Sequence, residues 1–194
     1  MPAPRRIALF GGTFDPVHEG HLEVAQKAVT GLSLDCIYFV PCRQSPHKDS
    51  RPAANDADRL TLLTLALEPF PWAHLDDLEL KKPPPSYTWE TVREFRKRFP
   101  PPNTLFLLIG QDQWEKLPTW KNHDFLAKNV EFIVVGRQDR PQPRPGYHLH
   151  PIEGNHPASS SEIRRQLRNG KSPSWLPAPV SSLIREKGLY SATP

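Results

Sequence analysis

Apolar residues along this chain of 194 residues follow two alternating patterns. Short unbroken runs, Arg5–Phe10, Asp35–Val40, Thr104–Ile109 and Val130–Val135, have the length and the β-branched or aromatic content of buried strands. Gly11-Gly12, Pro41, Gly110 and Gly136 close them in turn. Between these runs, apolar residues return at helical spacing. Leu22, Ala25 and Val29 share one face of Glu19 to about Thr30, with Gly31 as the stop. Leu60, Leu63 and Leu67 share the inner face of a helix capped by Asn55 or Asp56. A third helix runs from Ser86 or Thr88 to about Phe99, and a short helical stretch surrounds Trp114 before a turn at Leu117-Pro118. Trp72–Leu78 and residues 147–151 read as two short strands, and helices from Ser160 to Asn169 and from Pro177 to Lys187 end at Gly170 and Gly188.

Strands that are apolar throughout must be covered on both faces, and here they alternate with helices. That order predicts an α/β fold: a Rossmann-like three-layer domain with a parallel sheet and a C-terminal helical piece. The whole chain is expected to form one domain, with residues 1–157 as the α/β core and 158–194 as a C-terminal helical subregion. Ligands of such sheets bind at the carboxyl ends of the strands, where strand order reverses.

Composition narrows the classes further. Apolar residues make up 37% and charged residues 24%, which suits a folded globular chain rather than a disordered one. No apolar run is long enough to span a bilayer, and the N-terminal one is too short for a signal-peptide core, so a cytoplasmic protein is expected. Cys36 and Cys42 have neither zinc nor redox spacing and are expected as free thiols. The 24 prolines fall in loops and at element ends. Residues 1–58 carry 6 basic and 7 acidic groups, residues 59–135 carry 10 of each, and residues 136–194 carry 9 and 4. The net charge of +4 therefore comes from the last third and points to an anionic partner. The Arg96-Lys97-Arg98 run reads as a solvated helix end that complements the helix dipole.

Two stretches carry candidate chemistry. The first, Gly11-Gly12-Thr13-Phe14-Asp15-Pro16-Val17-His18-Glu19-Gly20-His21, follows the first strand and opens the first helix. The glycines allow a tight turn and close backbone approach, and N–H groups at a helix start favour an anion. His18 and His21 stand three apart, so they share a face. They are either surface histidines or a pair that binds a polyphosphate and stabilises a leaving pyrophosphate, and the setting favours the second. The other stretch is Ser159-Ser160-Ser161-Glu162-Ile163-Arg164. Ser159 and Glu162 fit a capping box, and the stretch could be no more than that. With Arg164 and Arg168 on one face, it could also cradle a phosphate.

These two stretches, far apart and in this order, resemble the nucleotidylyltransferase α/β-phosphodiesterase superfamily. Ser45-Pro46-His47-Lys48, Pro85-Ser86-Tyr87-Thr88, Gly110-Gln111-Asp112, Leu117-Pro118-Thr119-Trp120 and Gly188-Leu189-Tyr190 bring the chain closer still. Together they resemble the bacterial nicotinate mononucleotide adenylyltransferase family over nearly the whole chain. The chain departs from that family's pattern at Ser45, Ala158 and Ser161.

The resemblance implies adenylyl transfer from ATP to nicotinate mononucleotide. It implies an ATP site of Gly11, Gly12, Thr13, Phe14, His18, His21, Asp112, Ser160, Ser161 and Arg164. Asp112 would lie near the ribose. Lys48, Tyr87, Thr88 and Trp120 would receive the mononucleotide, with Trp120 on the pyridine ring. His18, His21, Arg164 and Lys48 would act on the reacting phosphates. Mg²⁺ is expected, held by ATP phosphates and water because no carboxylate cluster is evident. Read singly, Asp112 could be a helix cap, Trp120 a core residue and Lys48 a solvated lysine. Two sister acceptors, nicotinamide mononucleotide and phosphopantetheine, are the enzymatic alternatives. A nucleic-acid-binding module is the alternative of another class, suggested by the pI of about 9.2. The basic residues of 159–171 have no interleaved aromatic, which argues against it, and neither nucleic acid nor a membrane is an expected partner.

Overall fold

The computed structural model describes residues 3–47, 51–136 and 140–191. Six strands, β1 (Arg6–Gly12), β2 (Cys36–Pro41), β3 (Ala73–Leu75), β4 (Thr104–Gly110), β5 (Glu131–Gly136) and β6 (Leu149–Glu153), pair in the order β3-β2-β1-β4-β5-β6. Every pairing is parallel. The direction of winding reverses between β1 and β4, so the cleft that ligands use in such sheets opens past Gly12 and Gly110.

The helices are α1 (Glu19–Leu32), α2 (Asp56–Leu67), α3 (Thr88–Arg98), α4 (Gln111–Lys116), α5 (His123–Asn129), α6 (Ser160–Arg168) and α7 (Ala178–Glu186). A 3-10 turn at Leu117–Thr119 follows α4. The apolar strands divide their side chains by alternation. Ala8, Phe106, Leu108 and Ile133 enter one core with α1, α2, α6 and α7. Ile7, Leu9, Leu105, Leu107, Phe132 and Val134 enter the other with α3, α4 and α5. These are the three expected layers. The C-terminal helices belong to the first core, since Ile163, Val180 and Ile184 are buried there beside the sheet.

Boundaries moved where local chemistry overrode pattern. Gly11 and Gly12 extend β1 instead of ending it. Helix α1 passes Gly31 and stops at Ser33, which takes the left-handed conformation at φ 48° and sends its N–H back to Val29 O. Helix α5 has only Leu126 buried, so it left no apolar stripe to read. Arg96 is no solvated helix end. Its guanidinium donates to the carbonyls of Asn129, Phe99 and Asn103 and closes α3 against the next loops. Cys36 and Cys42 are both buried thiols outside any disulfide. Among the described residues, no helix is long and apolar enough to cross a membrane.

Candidate active site

Two chambers open at the point where winding reverses. The first, of about 770 Å³, is bounded by the Gly11–Asp15 turn, the start of α1, the start of α4 and the start of α6. The second, of about 390 Å³, lies between Val40–His47, the Ser86–Thr88 turn and Thr119–Lys121. Gly11, Gly12, Thr13, Ser45, Ile109 and Gln113 line both, so the chambers meet at the glycine turn.

That turn is held from beneath. A Cβ on Gly12 would lie 3.0 Å from Phe14 Cζ, so any larger residue there would press the ring out of place by a few tenths of an ångström. Phe14 itself sits at φ 47°, a conformation costly for a bulky residue, and its ring packs on Phe10, Phe39 and His21. Phe14 reaches the chamber wall, but its side chain belongs to the core. Asp15, 3% exposed, accepts from Ala53 N–H at 2.7 Å, Ala54 N–H at 3.1 Å and the Tyr190 hydroxyl at 2.8 Å. Burial and that carboxylate push the Tyr190 phenol well up, so it remains a donor. Arg59, fully buried, donates to Thr13 O at 2.7 Å and pairs with Asp56 at 2.6 Å.

The His18 and His21 rings lie against each other with centroids 3.7 Å apart and planes tilted by 31°. The His18 N–H donates to His21 Nδ1 at 3.2 Å, so a neutral His21 carries its proton on Nε2. His18 is 6% exposed and its Nδ1 is buried with no hydrogen-bond partner. Burial, and then the neighbouring His156, lower its pKa to about 4. His18 is thus a neutral imidazole at pH 7, a hydrogen-bonding group rather than a cation. The start of α1 is also less open than a bare helix end. Glu19 N–H donates to Trp175 O at 3.0 Å and His21 N–H to His18 O at 2.9 Å, so two of its first three donors are taken.

On the facing wall, Ser159 caps α6 by accepting from Glu162 N–H at 3.2 Å. Glu162 does not complete the box; it binds Arg165 and Gln166 instead. The Ser160 hydroxyl donates to Pro16 O at 3.0 Å. Arg164 donates to Asp15 O at 2.5 Å, and Ser161 lies 3.4 Å from the same guanidinium. These contacts clamp α6 to the turn. Asp112 stands exposed in the first turn of α4 on the wall of the same chamber, where Gly110, not Asp112, is the N-cap residue.

In the second chamber Tyr87, Thr88 and Trp120 come together. Trp120 is half-buried, with one ring face stacked on His47 at 5.5 Å, and Lys121 lies over the Tyr87 ring at 4.5 Å. Lys48 lies outside the described residues.

Sequence reasoning missed four residues of this site. Asp15 lay unremarked within the first motif, and Arg59 looks like half of an ordinary i, i+3 surface pair with Asp56. His156 gave no metal spacing, yet it lines the first chamber and accepts Ala158 N–H at 3.1 Å through Nδ1. A Cβ on Gly20 would lie 3.1 Å from His18 Nδ1 and 3.2 Å from His156 Nδ1, so this glycine makes room for both rings. Glu79, 8% exposed, lines the second chamber. Among the described residues, no group of three or more His, Cys, Asp or Glu could hold a metal ion.

Comparisons with known proteins bear on this arrangement. A family model described as cytidylyltransferase-like matches residues 9–166. A "Probable nicotinate-nucleotide adenylyltransferase" of Methylacidiphilum infernorum is 38% identical over 189 residues, which is 95% of this chain and 92% of that one. The "Nicotinate-nucleotide adenylyltransferase" of Bacillus subtilis is 34% identical over 199 residues, covering 97% of this chain and 100% of that one. The structure of Plasmodium falciparum nicotinic acid mononucleotide adenylyltransferase complexed with NaAD superimposes with a TM-score of 0.79 at 20% identity. It covers 96% of this chain and 97% of that one and shares the fold.

Proposed function

We infer the function from one premise: this chain belongs to the cytidylyltransferase-like family and, within it, to the nicotinate-nucleotide adenylyltransferases. It is a nucleotidyltransferase. It joins ATP and nicotinate mononucleotide to give deamido-NAD and pyrophosphate, a step of NAD biosynthesis carried out in the cytoplasm. The observation that carries this reading is the meeting of two chambers at the Gly11–Thr13 turn. One substrate fills each chamber, and their phosphates converge where the walls are shared.

A 5′-phosphate oxygen of the mononucleotide attacks the α-phosphorus of ATP. The bond from that phosphorus to the bridging oxygen breaks, and pyrophosphate leaves with the electron pair. The acceptor supplies the nucleophile, so the protein contributes positioning and charge stabilisation. His18, His21, Ser160, Ser161 and Arg164 face the triphosphate from two sides. His21 offers its Nε2 proton, and Arg164 brings the positive charge that neutral His18 lacks. Asp112 lies by the ribose. Thr88 and the N–H groups near Tyr87 receive the nicotinate carboxylate, and Trp120 stacks on the pyridine ring.

The donor set fits a Mg²⁺ ion that arrives with ATP. Asp15 is already occupied by three donors. Phosphate oxygens and water would therefore be its ligands. When bound, the ion supplies charge neutralisation between the phosphates.

Pyrophosphate release from ATP, measured separately with nicotinate mononucleotide, nicotinamide mononucleotide and phosphopantetheine, tests this. Release with the nicotinate acceptor, and deamido-NAD as the co-product, is expected. Turnover of phosphopantetheine alone would move the chain to a sister activity.

A further inference from the structure

Glu79 lies on no motif and belongs to neither histidine nor serine clusters, yet it is the acidic residue buried in the wall of the second chamber. It accepts the Thr91 hydroxyl at 2.5 Å, in the first two turns of α3. The Ser86 hydroxyl lies near enough to favour the charged form of the same carboxyl. Ser86 in turn ties back to the chain beyond β2. Arg43 N–H donates to Ser86 Oγ at 3.1 Å, and Ser86 N–H donates to Gln44 O at 2.9 Å. One carboxyl thus joins the 76–82 loop, the start of α3, the Ser86–Thr88 turn and the entry to the His47 segment. Burying such a group costs free energy unless its hydrogen bonds are made, so its retention in a chamber wall calls for a reason.

Resting on the function proposed above, we propose that Glu79 is a positioning residue of the acceptor site: it fixes the Ser86–Thr88 turn that faces the mononucleotide ring. Burial pushes the Glu79 carboxyl up from the ordinary range against the two hydroxyl donors, which lower it. Lys82 and Glu90, the charged groups nearest in effect, act in opposite directions. The role needs hydroxyl acceptors at this place and does not need a fixed charge. Glutamine keeps an acceptor oxygen of the same reach, and alanine removes it.

The test measures both KM values and kcat at saturation for the wild type, Glu79→Ala, Glu79→Gln and Thr91→Val. Glu79→Ala is expected to raise the mononucleotide KM about tenfold, the order of loss that follows when the acceptor of buried hydroxyl hydrogen bonds is removed. The ATP KM should stay within about twofold. Glu79→Gln should recover most of that loss. Thr91→Val, which removes one hydroxyl partner without changing shape, should shift the mononucleotide KM the same way by a smaller factor. It also keeps the test open if Glu79→Ala does not fold. Equal rises in both KM values, no change in either, or a Glu79→Gln as impaired as the alanine variant would overturn the assignment. A wild type inactive with every mononucleotide would defeat the proposed function itself and this assignment with it. Normal wild-type turnover with variants that move the wrong KM defeats only the role of Glu79.

Discussion

The two chambers share one turn but are built from different material. The first rests mainly on residues 11–21 and the helix start at residues 159–164, with the start of α4 completing the wall, and its two main pieces are locked together by buried polar groups. Asp15 holds Ala53, Ala54 and Tyr190, Arg164 holds the Asp15 carbonyl, and Arg59 holds Thr13. The second is assembled from four separate segments, and its buried polar support is concentrated on Glu79. Asp56 bridges the two, paired with Arg59 on one side and with Arg43 on the other at 3.3 Å. A phosphate-transfer site needs its donors fixed before the reaction, and rigidity is concentrated there. A site that reads a ring substituent needs only a few well-placed groups, and loops can supply them.

The comparison can be broken at its stiffest point first. Arg59→Met removes the donor under Thr13 and leaves Asp56 with Arg43 alone. Loss of one partner from a buried ion pair costs about 3–5 kcal/mol, and urea unfolding should show a fall near the lower end because Asp56 is partly exposed. A fall under about 1 kcal/mol would mean that the turn does not depend on Arg59.

His18→Ala and His21→Ala act on chemistry more than on the fold. Each removes a group aimed at developing charge, so kcat should drop by about 10²–10³, near 2.7–4 kcal/mol, with the mononucleotide KM little changed. Steady-state kinetics with both substrates decides this, and near-normal kcat in folded variants would remove the histidines from the phosphate site.

A smaller effect comes from His18 alone. Its pKa is lowered to about 4, so between pH 6.5 and 4 the unfolded chain binds a proton that the folded chain refuses. Stability from this residue is present above pH 6.5 and is lost as pH falls toward 4. Between pH 7.5 and 4.5 the loss is roughly 2–3 kcal/mol at 1.36 kcal/mol per pH unit. Urea unfolding at both pH values should show that much less acid sensitivity in His18→Gln than in the wild type.

Trp120→Ala should weaken both the acid and the amide mononucleotide alike, by the roughly 1–3 kcal/mol of a lost ring stack. A change confined to one acceptor, seen in kcat/KM for the pair, would show that Trp120 reads the substituent.

The same contrast explains what could be read in advance. The sheet and its layers were legible because β1, β2, β4 and β5 are unbroken apolar runs, and such runs have few other uses. The first chamber was legible because each of its two main pieces is a short motif, glycines and histidines at fixed offsets in residues 11–21 and a serine cap followed by arginine in residues 159–164. Arg59 was not, because burial of an arginine depends on the backbone carbonyl of Thr13, 46 positions away. Glu79 and His156 were illegible for the same reason: each is one ordinary residue whose partners are chosen by the fold. The N–H groups at the start of α1 were expected to be open, and the Trp175 carbonyl, supplied from the far end of the chain, occupies one of them.

The central claim is that the two chambers take the two substrates separately, and a crossed set of KM values tests it most directly. Arg164→Lys replaces a planar fork bound to the Asp15 carbonyl with a point charge, so it should raise the ATP KM and leave the mononucleotide KM near its starting value. Thr88→Val removes a donor to the acceptor carboxylate, so it should raise the nicotinate mononucleotide KM about tenfold or more and lower the preference for acid over amide, since a charge-assisted hydrogen bond is worth about 1.5–3 kcal/mol. The ATP KM should not move with Thr88→Val. If each substitution instead raises both KM values by the same factor, the chambers do not divide the substrates and the account is wrong.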